Sequence, residues 1–554
     1  MIPLLLAASL SAEPLVSADL VLLDAKVWTG DAAKPDVEAL AISKGRVLKV
    51  GSTIDVKALA GPKTIVVDGK GRRVLPGFID SHVHFLGGGL QLARVELKDC
   101  KDAAEFAARL KAFHDNTSRS RWMLGGNWDH DRAFDGKLPT AETIDAVAKD
   151  RPVFLRRYDG HMALANSAAL KLANITAETK DPAGGVIGRL ADGKTPSGIL
   201  KDNAMELVAR IVPEPSDEEI AEAVRAALAA CAAKGVTAVH DMDGSSRATR
   251  LKLLRILQRL DKAGELTVRI DLRWPIAEQK DLSSLGLEAG FGSEFLRIGG
   301  LKGYMDGSLG SSTAKMAEPY SGEGEKNTGV FVTEPDAMLA MVKKADADRL
   351  AVAVHAIGDE ANAKLLDLFA AAAKANGVRD RRFRIEHAQH LRPVDIPRFK
   401  ALGVVASMQP YHVVDDGRWA EGRIGAKRCE SSYAYRDLLD AGAVLAFGSD
   451  WPVAPLDVLA GIDAAVNRRP LDGKHPKGWF PKQRITVAEA IAAYTAGSAF
   501  AGHREEQLGK LAPGYAADFV ILDRDPLAEM ERETLGSITV TQTFVAGKPV
   551  MAAK

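Results

Sequence analysis

The sequence predicts an α/β protein: a (β/α)8 TIM-type barrel with an inserted lobe, plus a small composite β-sandwich domain formed from both termini. Three observations carry this expectation. Eight short runs rich in Val, Ile, Leu and Ala recur along the middle of the chain, separated for the most part by helical patterns. Five of these runs carry a metal-ligand type of residue at or near their C-terminal end, where barrel enzymes place their chemistry. Both ends of the chain read as β-structure around this different middle.

Taken in order, residues 1–18 open with the apolar run MIPLLLAASLS and reach Val16-Ser17-Ala18, which resembles a small-residue cleavage site. This reads as a signal peptide and a periplasmic or secreted protein. The segment carries no Lys or Arg before its apolar run, so a cytoplasmic protein is the alternative. DLVLLDAKVWTG, ALAISKGRVLKVG and TIVVDG follow as short strands closed by Gly or Asp. ADFVILDRD and SITVTQTFVAGKPV form a matching set at the far end, where Ile538, Val540 and Gln542 alternate with Thr539, Thr541 and Thr543. Residues 19–72 and 505–554 are therefore expected to build one β-domain, leaving 73–504 for the barrel.

The first barrel strand is read in VLPGFIDSHVH, which ends in His82 and His84. Side chains two apart on a strand leave it on the same side. The interval from about 85 to 213 is too long for one crossover and must hold an insertion. Ser216 with Glu219 forms a capping-box pattern, a helical stretch follows, and Gly235 stops it. Seven further strands are expected at 236–242, 268–274, 295–304, 350–356, 382–388, 403–409 and 443–450.

Composition narrows the partner. The 554 residues carry 73 Lys+Arg and 73 Asp+Glu, with no basic excess to attract nucleic acid or an anionic membrane. No segment approaches the roughly 20 apolar residues that span a bilayer. The partner expected is a small molecule, and a homo-oligomer is left open. Cys100, Cys231 and Cys429 are scattered, which gives neither a disulfide framework nor a thiolate zinc site.

The histidines point to metal chemistry. His82 and His84 end the first strand, Lys302 lies late in the fourth, and His355, His387 and Asp450 end the fifth, sixth and eighth. Imidazole and carboxylate converging at one barrel mouth suit zinc and related divalent ions. Other histidines read more weakly: His240 as pocket wall, His390 and His412 as partners of bound imidazoles, and His114, His130, His475 and His503 as loop or surface residues. Trp128, Tyr304 and Trp451 are candidates to line an apolar substrate pocket.

These motifs together (HVH, HAIGD, RIEHAQH, GSDWP and the closing LGKLAPGYAADFVILDRDP) resemble the amidohydrolase superfamily. GHMALANSAAL and LKGYMDGSLGSSTA are similar to motifs of its third family, the N-substituted formamide deformylase-like enzymes. The resemblance runs from about Asp19 to the end of the chain. It implies one or two divalent metal ions, zinc first, on His82, His84, Lys302, His355, His387 and Asp450. It also implies a Lys302 carboxylated on its ε-nitrogen. Asp450 is expected to be the proton-transferring residue and His161 to contact the substrate carbonyl. A single-metal site on His82, His84, His355 and Asp450 is the alternative.

The expected reaction is metal-assisted hydrolysis of a carbon–nitrogen bond, amide or formamide-like. A deaminase of the same superfamily is the nearest rival, and a non-catalytic barrel protein a more distant one. A serine hydrolase is disfavoured: Ser308, Ser311 and Ser312 lie in DGSLGSS, with no G-x-S-x-G elbow.

Overall fold

The computed structural model describes residues 17–98, 100–117, 121–157, 162–321, 327–528 and 533–551. The chain divides into two compact units: Met1–Phe85, Leu228–Gly244 and Leu257–Lys554 in one, Leu86–Ala227 and Ser245–Ile256 in the other.

The first unit holds the barrel. Its strands are β1 (Phe78–Val83), β2 (Val236–Asp241), β3 (Arg269–Pro275), β4 (Leu296–Tyr304), β5 (Val352–Ala356), β6 (Arg384–His387), β7 (Val405–Met408) and β8 (Val444–Phe447). Each pairs in parallel with the next in chain order. Closure comes just beyond β8, where Asp450 N donates to His82 O at 2.7 Å and His84 N to Trp451 O at 2.8 Å. Gly448 permits this approach, since a Cβ there would stand 2.5 Å from His82 N. The eight runs expected from the sequence are the eight strands observed. β1, β2, β6 and β7 are buried along their whole length, as strands covered on both faces must be.

Two smaller sheets complete this unit. One orders Arg46–Gly51, Ala39–Ser43, Ala18–Leu23 and Ala60–Asp68. The other orders Lys548–Pro549, Val540–Val545, Phe519–Leu522, Arg73–Pro76, Lys26–Trp28 and Asp36–Val37, so strands from both termini share one sheet. Leu20, Val27, Ile42, Val74, Phe519 and Phe544 meet in the core of this β-structure. Arg73–Pro76, expected within the barrel segment, pairs instead with Phe519–Leu522. The β-structure thus reaches Pro76, and Gly77 separates it from β1.

Arg269 of β3 ties the barrel to the terminal sheet, donating to both carboxylate oxygens of Asp518 at 2.7 and 3.1 Å. Their side chains are 2% and 7% exposed, and the other carboxylate near Arg269, Glu294, stands off at 3.7 Å. The Asp518→Asn protein should lose ~3–5 kcal/mol of stability. Denaturant unfolding of purified variant and wild type measures this, and equal midpoints would show the pair to be dispensable.

The second unit is the insertion. Its six-stranded sheet orders Gly185–Arg189, Pro196–Asp202, Met162–Ala165, Val153–Arg157, Met123–Trp128 and Val95–Glu96. Val95, Phe106, Leu110, Met123, Ile144 and Leu164 lie in its core. The unit extends past the expected limit at 213 to include the start of the helix Asp217–Ala233. That helix opens with the expected capping box: Glu219 N donates to Ser216 Oγ at 3.2 Å and Ser216 N to Glu219 Oε2 at 2.8 Å. Cys100, Cys231 and Cys429 are buried. Among the described residues no helix is long and apolar enough to cross a membrane.

Candidate metal centre

β1, β4, β5, β6 and the turn after β8 deliver their polar residues to one end of the barrel. His82, His387 and Asp450 are all buried, and each offers a ligand atom within 4.8 Å of the others. Around them, Lys302 Nζ lies 3.4 Å from His82 Nε2, and His84 Nε2 lies 3.2 Å from Asp450 Oδ1. The His355 ring centroid is 4.6 Å from that of His387. His412 joins them, its ring stacked on His387 at 6.1 Å and its Nε2 3.7 Å from Asp450 Oδ2.

Hydrogen-bond bookkeeping fixes where the imidazole lone pairs lie. His355 Nε2 sits 2.9 Å from Gly307 O, an acceptor only, so this nitrogen carries the proton and Nδ1 keeps the lone pair. Asp450 Oδ1, His387 Nδ1 and His412 Nε2 are buried with no hydrogen-bond partner. The imidazoles near Asp450 Oδ1 approach it without hydrogen-bond geometry. Buried polar atoms left without partners demand an explanation, and a divalent cation at the His82, His387 and Asp450 group would supply one for Asp450 Oδ1. The donor set of imidazole nitrogen and carboxylate oxygen fits such an ion.

The charge states fit as well. Burial, reinforced by the Lys302 charge, lowers the pKa of His82 to about 4 and that of His355 to about 4. Burial also holds His387 well below its usual value. These rings are neutral at physiological pH, as metal ligation requires. Burial opposes ionisation of Asp450, but His82, His84, His387 and His412 outweigh it and hold the carboxyl well below the usual range. Burial drops the Lys302 pKa to about 8. Asp306 accepts the backbone N–H groups of Ile357, Gly358 and Lys315.

Backbone conformation also marks the site. His387, Ala388 and Asp450 have φ of 73°, 44° and 62°, a region that non-glycine residues enter at a cost of order 1–3 kcal/mol. Such strain persists where the surrounding structure dictates it, and here it turns the His387 and Asp450 side chains at strand ends.

The other candidates separate. Tyr304 is 38% exposed and its ring lies 5.0 Å from Lys302 Nζ and 5.6 Å from the His355 ring, so it borders the cluster. Trp451 is buried beside Asp450, and its carbonyl accepts from His84 N. Trp128 does not line a pocket: it is fully buried in the core of the inserted unit, its indole N–H donating to Leu155 O at 2.9 Å. His161 lies outside the described residues. His240 is buried against Arg384 and Asp271 and lines a small internal cavity with Ile79, Ala238 and Leu508. His390 bonds Ser432 and Gln389 rather than a cluster imidazole, and His114 is buried rather than at the surface.

Sequence reading missed two carboxylates. Glu386 Oε2 lies 2.6 Å from His82 Nδ1. Asp80 Oδ1 accepts from His82 N at 3.2 Å and Ser449 N at 2.8 Å, joining β1 to the turn after β8. The available signal was a charged residue at alternate positions of a run otherwise apolar, as in Arg384-Ile385-Glu386.

Comparison with known proteins follows the same line. Residues 65–551 match the amidohydrolase family. The Arabidopsis thaliana protein LONG AFTER FAR-RED 3 is 41% identical over 540 residues, covering 96% of this chain and 91% of that protein. N-substituted formamide deformylase of Arthrobacter pascens is 26% identical over 546 residues, covering 96% of this chain and 97% of the other. The crystal structure of an uncharacterized metal-dependent hydrolase from Pyrococcus furiosus superposes with a TM-score of 0.75 at 32% identity, covering 92% of this chain and 100% of that one.

Proposed function

Because the chain belongs to the amidohydrolase family, we propose that this metal-dependent hydrolase cleaves the carbon–nitrogen bond of a small amide or formamide-like substrate. The observation that carries the reading is the buried Asp450 carboxylate, one oxygen without a hydrogen-bond partner, set among neutral imidazoles. Similarity to N-substituted formamide deformylase along nearly the whole chain favours an amide over other hydrolysable bonds.

His82, His84, His355, His387 and Asp450 would hold the divalent metal, zinc first by its preference for such donors. When bound, the ion supplies Lewis acidity and makes water acidic enough to lose a proton near neutral pH. Lys302 joins the donor set as its carbamate: the neutral amine adds carbon dioxide, a nitrogen–carbon bond forms and one proton leaves. A pKa of about 8 leaves part of the amine neutral at physiological pH, which this addition needs. Asp450 accepts the proton of the attacking water and passes it to the departing nitrogen as the carbon–nitrogen bond breaks. Tyr304 and Trp451 border the substrate.

The test is a substrate panel on the full chain reconstituted with zinc or manganese. The panel holds N-formyl amines, N-acyl amino acids, aryl amides and cyclic amides beside ring amines. Amine release from an amide class, abolished by a chelator and restored by metal, is the expected result. Ammonia release from ring amines alone would replace this reading with deamination.

A further inference from the structure

Glu386 sits at the centre of a fully buried polar network that ends on His82. Its Oε2 is 2.6 Å from His82 Nδ1 and accepts from Ser407 Oγ at 2.8 Å. Its Oε1 accepts from Arg384 Nε at 2.8 Å. Arg384 also donates to Ser81 O at 2.7 Å, Ser407 Oγ at 2.9 Å and His240 Nδ1 at 2.7 Å. Arg384, Glu386 and Ser407 are at most 1% exposed, so every proton must be accounted for within the protein.

For His82 Nδ1 the accounting has one solution. A guanidinium only donates, so Ser407 Oγ receives from Arg384, and its own hydrogen goes to Glu386 at 2.8 Å or to Ser81 Oγ at 3.3 Å. The charge-paired carboxylate only accepts. His82 Nδ1 must therefore donate to it, which places the lone pair on Nε2, the nitrogen 3.4 Å from both Lys302 Nζ and Asp450 Oδ1. The same logic makes His240 Nδ1 an acceptor, so neutral His240 carries its proton on Nε2, which faces Asp271 Oδ2 at 3.8 Å.

We propose that Glu386, held by Arg384 and Ser407, is a positioning residue that locks His82 in the tautomer able to bind metal through Nε2. The proposal rests on the reading of the cluster as a metal centre. It assigns Glu386 no contact with substrate. Outer partners of this kind commonly change metal affinity by 10–100-fold.

Glu386→Gln tests it because an amide offers one acceptor oxygen to three donors. If the oxygen faces Arg384, the amide NH2 faces His82 Nδ1. That nitrogen must then accept, the proton moves to Nε2, and the metal-binding lone pair is lost. Zinc affinity, measured on the full chain by competition with a chromophoric chelator, should fall at least about tenfold. Ser407→Ala leaves the carboxylate on His82 and should fall less. Unchanged zinc affinity in a folded Glu386→Gln protein would overturn the proposal.

A second measurement does not depend on Glu386→Gln. 15N spectra of the histidine-labelled, metal-free wild type, with His82 assigned by its loss in His82→Asn, report which nitrogen is protonated. Protonated Nδ1 is the expected result, and protonated Nε2 would overturn the proposal. If wild type itself took up no divalent ion, the metal-centre reading would fall instead, so the two failures are told apart.

Discussion

Asp450→Asn lowers kcat by about 10²–10⁴-fold, the usual contribution of a positioned proton-transfer group, while metal content per chain stays near the wild-type value. Asparagine keeps an oxygen where Asp450 Oδ1 now lies buried without a hydrogen-bond partner. It cannot take a proton from water or return one to a leaving nitrogen. The effect should therefore fall on kcat, with KM for the best amide of the panel little changed. Metal analysis beside steady-state kinetics makes the measurement. Near-normal turnover would remove Asp450 from proton transfer, and loss of metal together with activity would make it chiefly a ligand.

Lys302→Ala is the second large effect. Lys302 Nζ is buried among the ligands, 3.4 Å from His82 Nε2, and no carboxylate among the described residues lies within ion-pair distance of it. A lysine so placed, its pKa lowered to about 8 by burial, is partly neutral and open to modification. If it is the carbamate, alanine removes two oxygen donors at once. Metal per chain should drop from near two to one or none, and activity should fall with it. A small carboxylic acid in the buffer should return part of both by supplying the missing oxygens. Wild type stripped of carbon dioxide and then resupplied should recover faster as pH rises through about 8, because the neutral amine fraction grows there. Metal content that is the same in Lys302→Ala and wild type would leave the single-metal site and remove the carbamate.

Much of the centre was legible before any coordinates. His82, His84, His355, His387 and Asp450 each end a run of buried aliphatic residues, a local pattern that needs no knowledge of partners. Trp128 shows the limit of such reading. An aromatic residue near glycines looks the same whether it lines a pocket or fills a core, and only the packing of the inserted unit places it inside. His114 misled in the same way, a polar residue within a helix that proves to be buried.

The sequence by itself determined the eight strands, the strand ends that carry His82, His84, His355, His387 and Asp450, and the β-structure at both termini. Hydrophobic periodicity and turn residues act over a few positions, so they can be read along the chain. Only the tertiary structure decided that Arg73–Pro76 joins the terminal sheet, since strand pairing depends on Phe519–Leu522 far along the chain. It also decided the protonation pattern of the centre. Glu386 reaches His82 across 304 positions of sequence, and burial, which sets both tautomer and charge, belongs to the neighbours a residue acquires on folding.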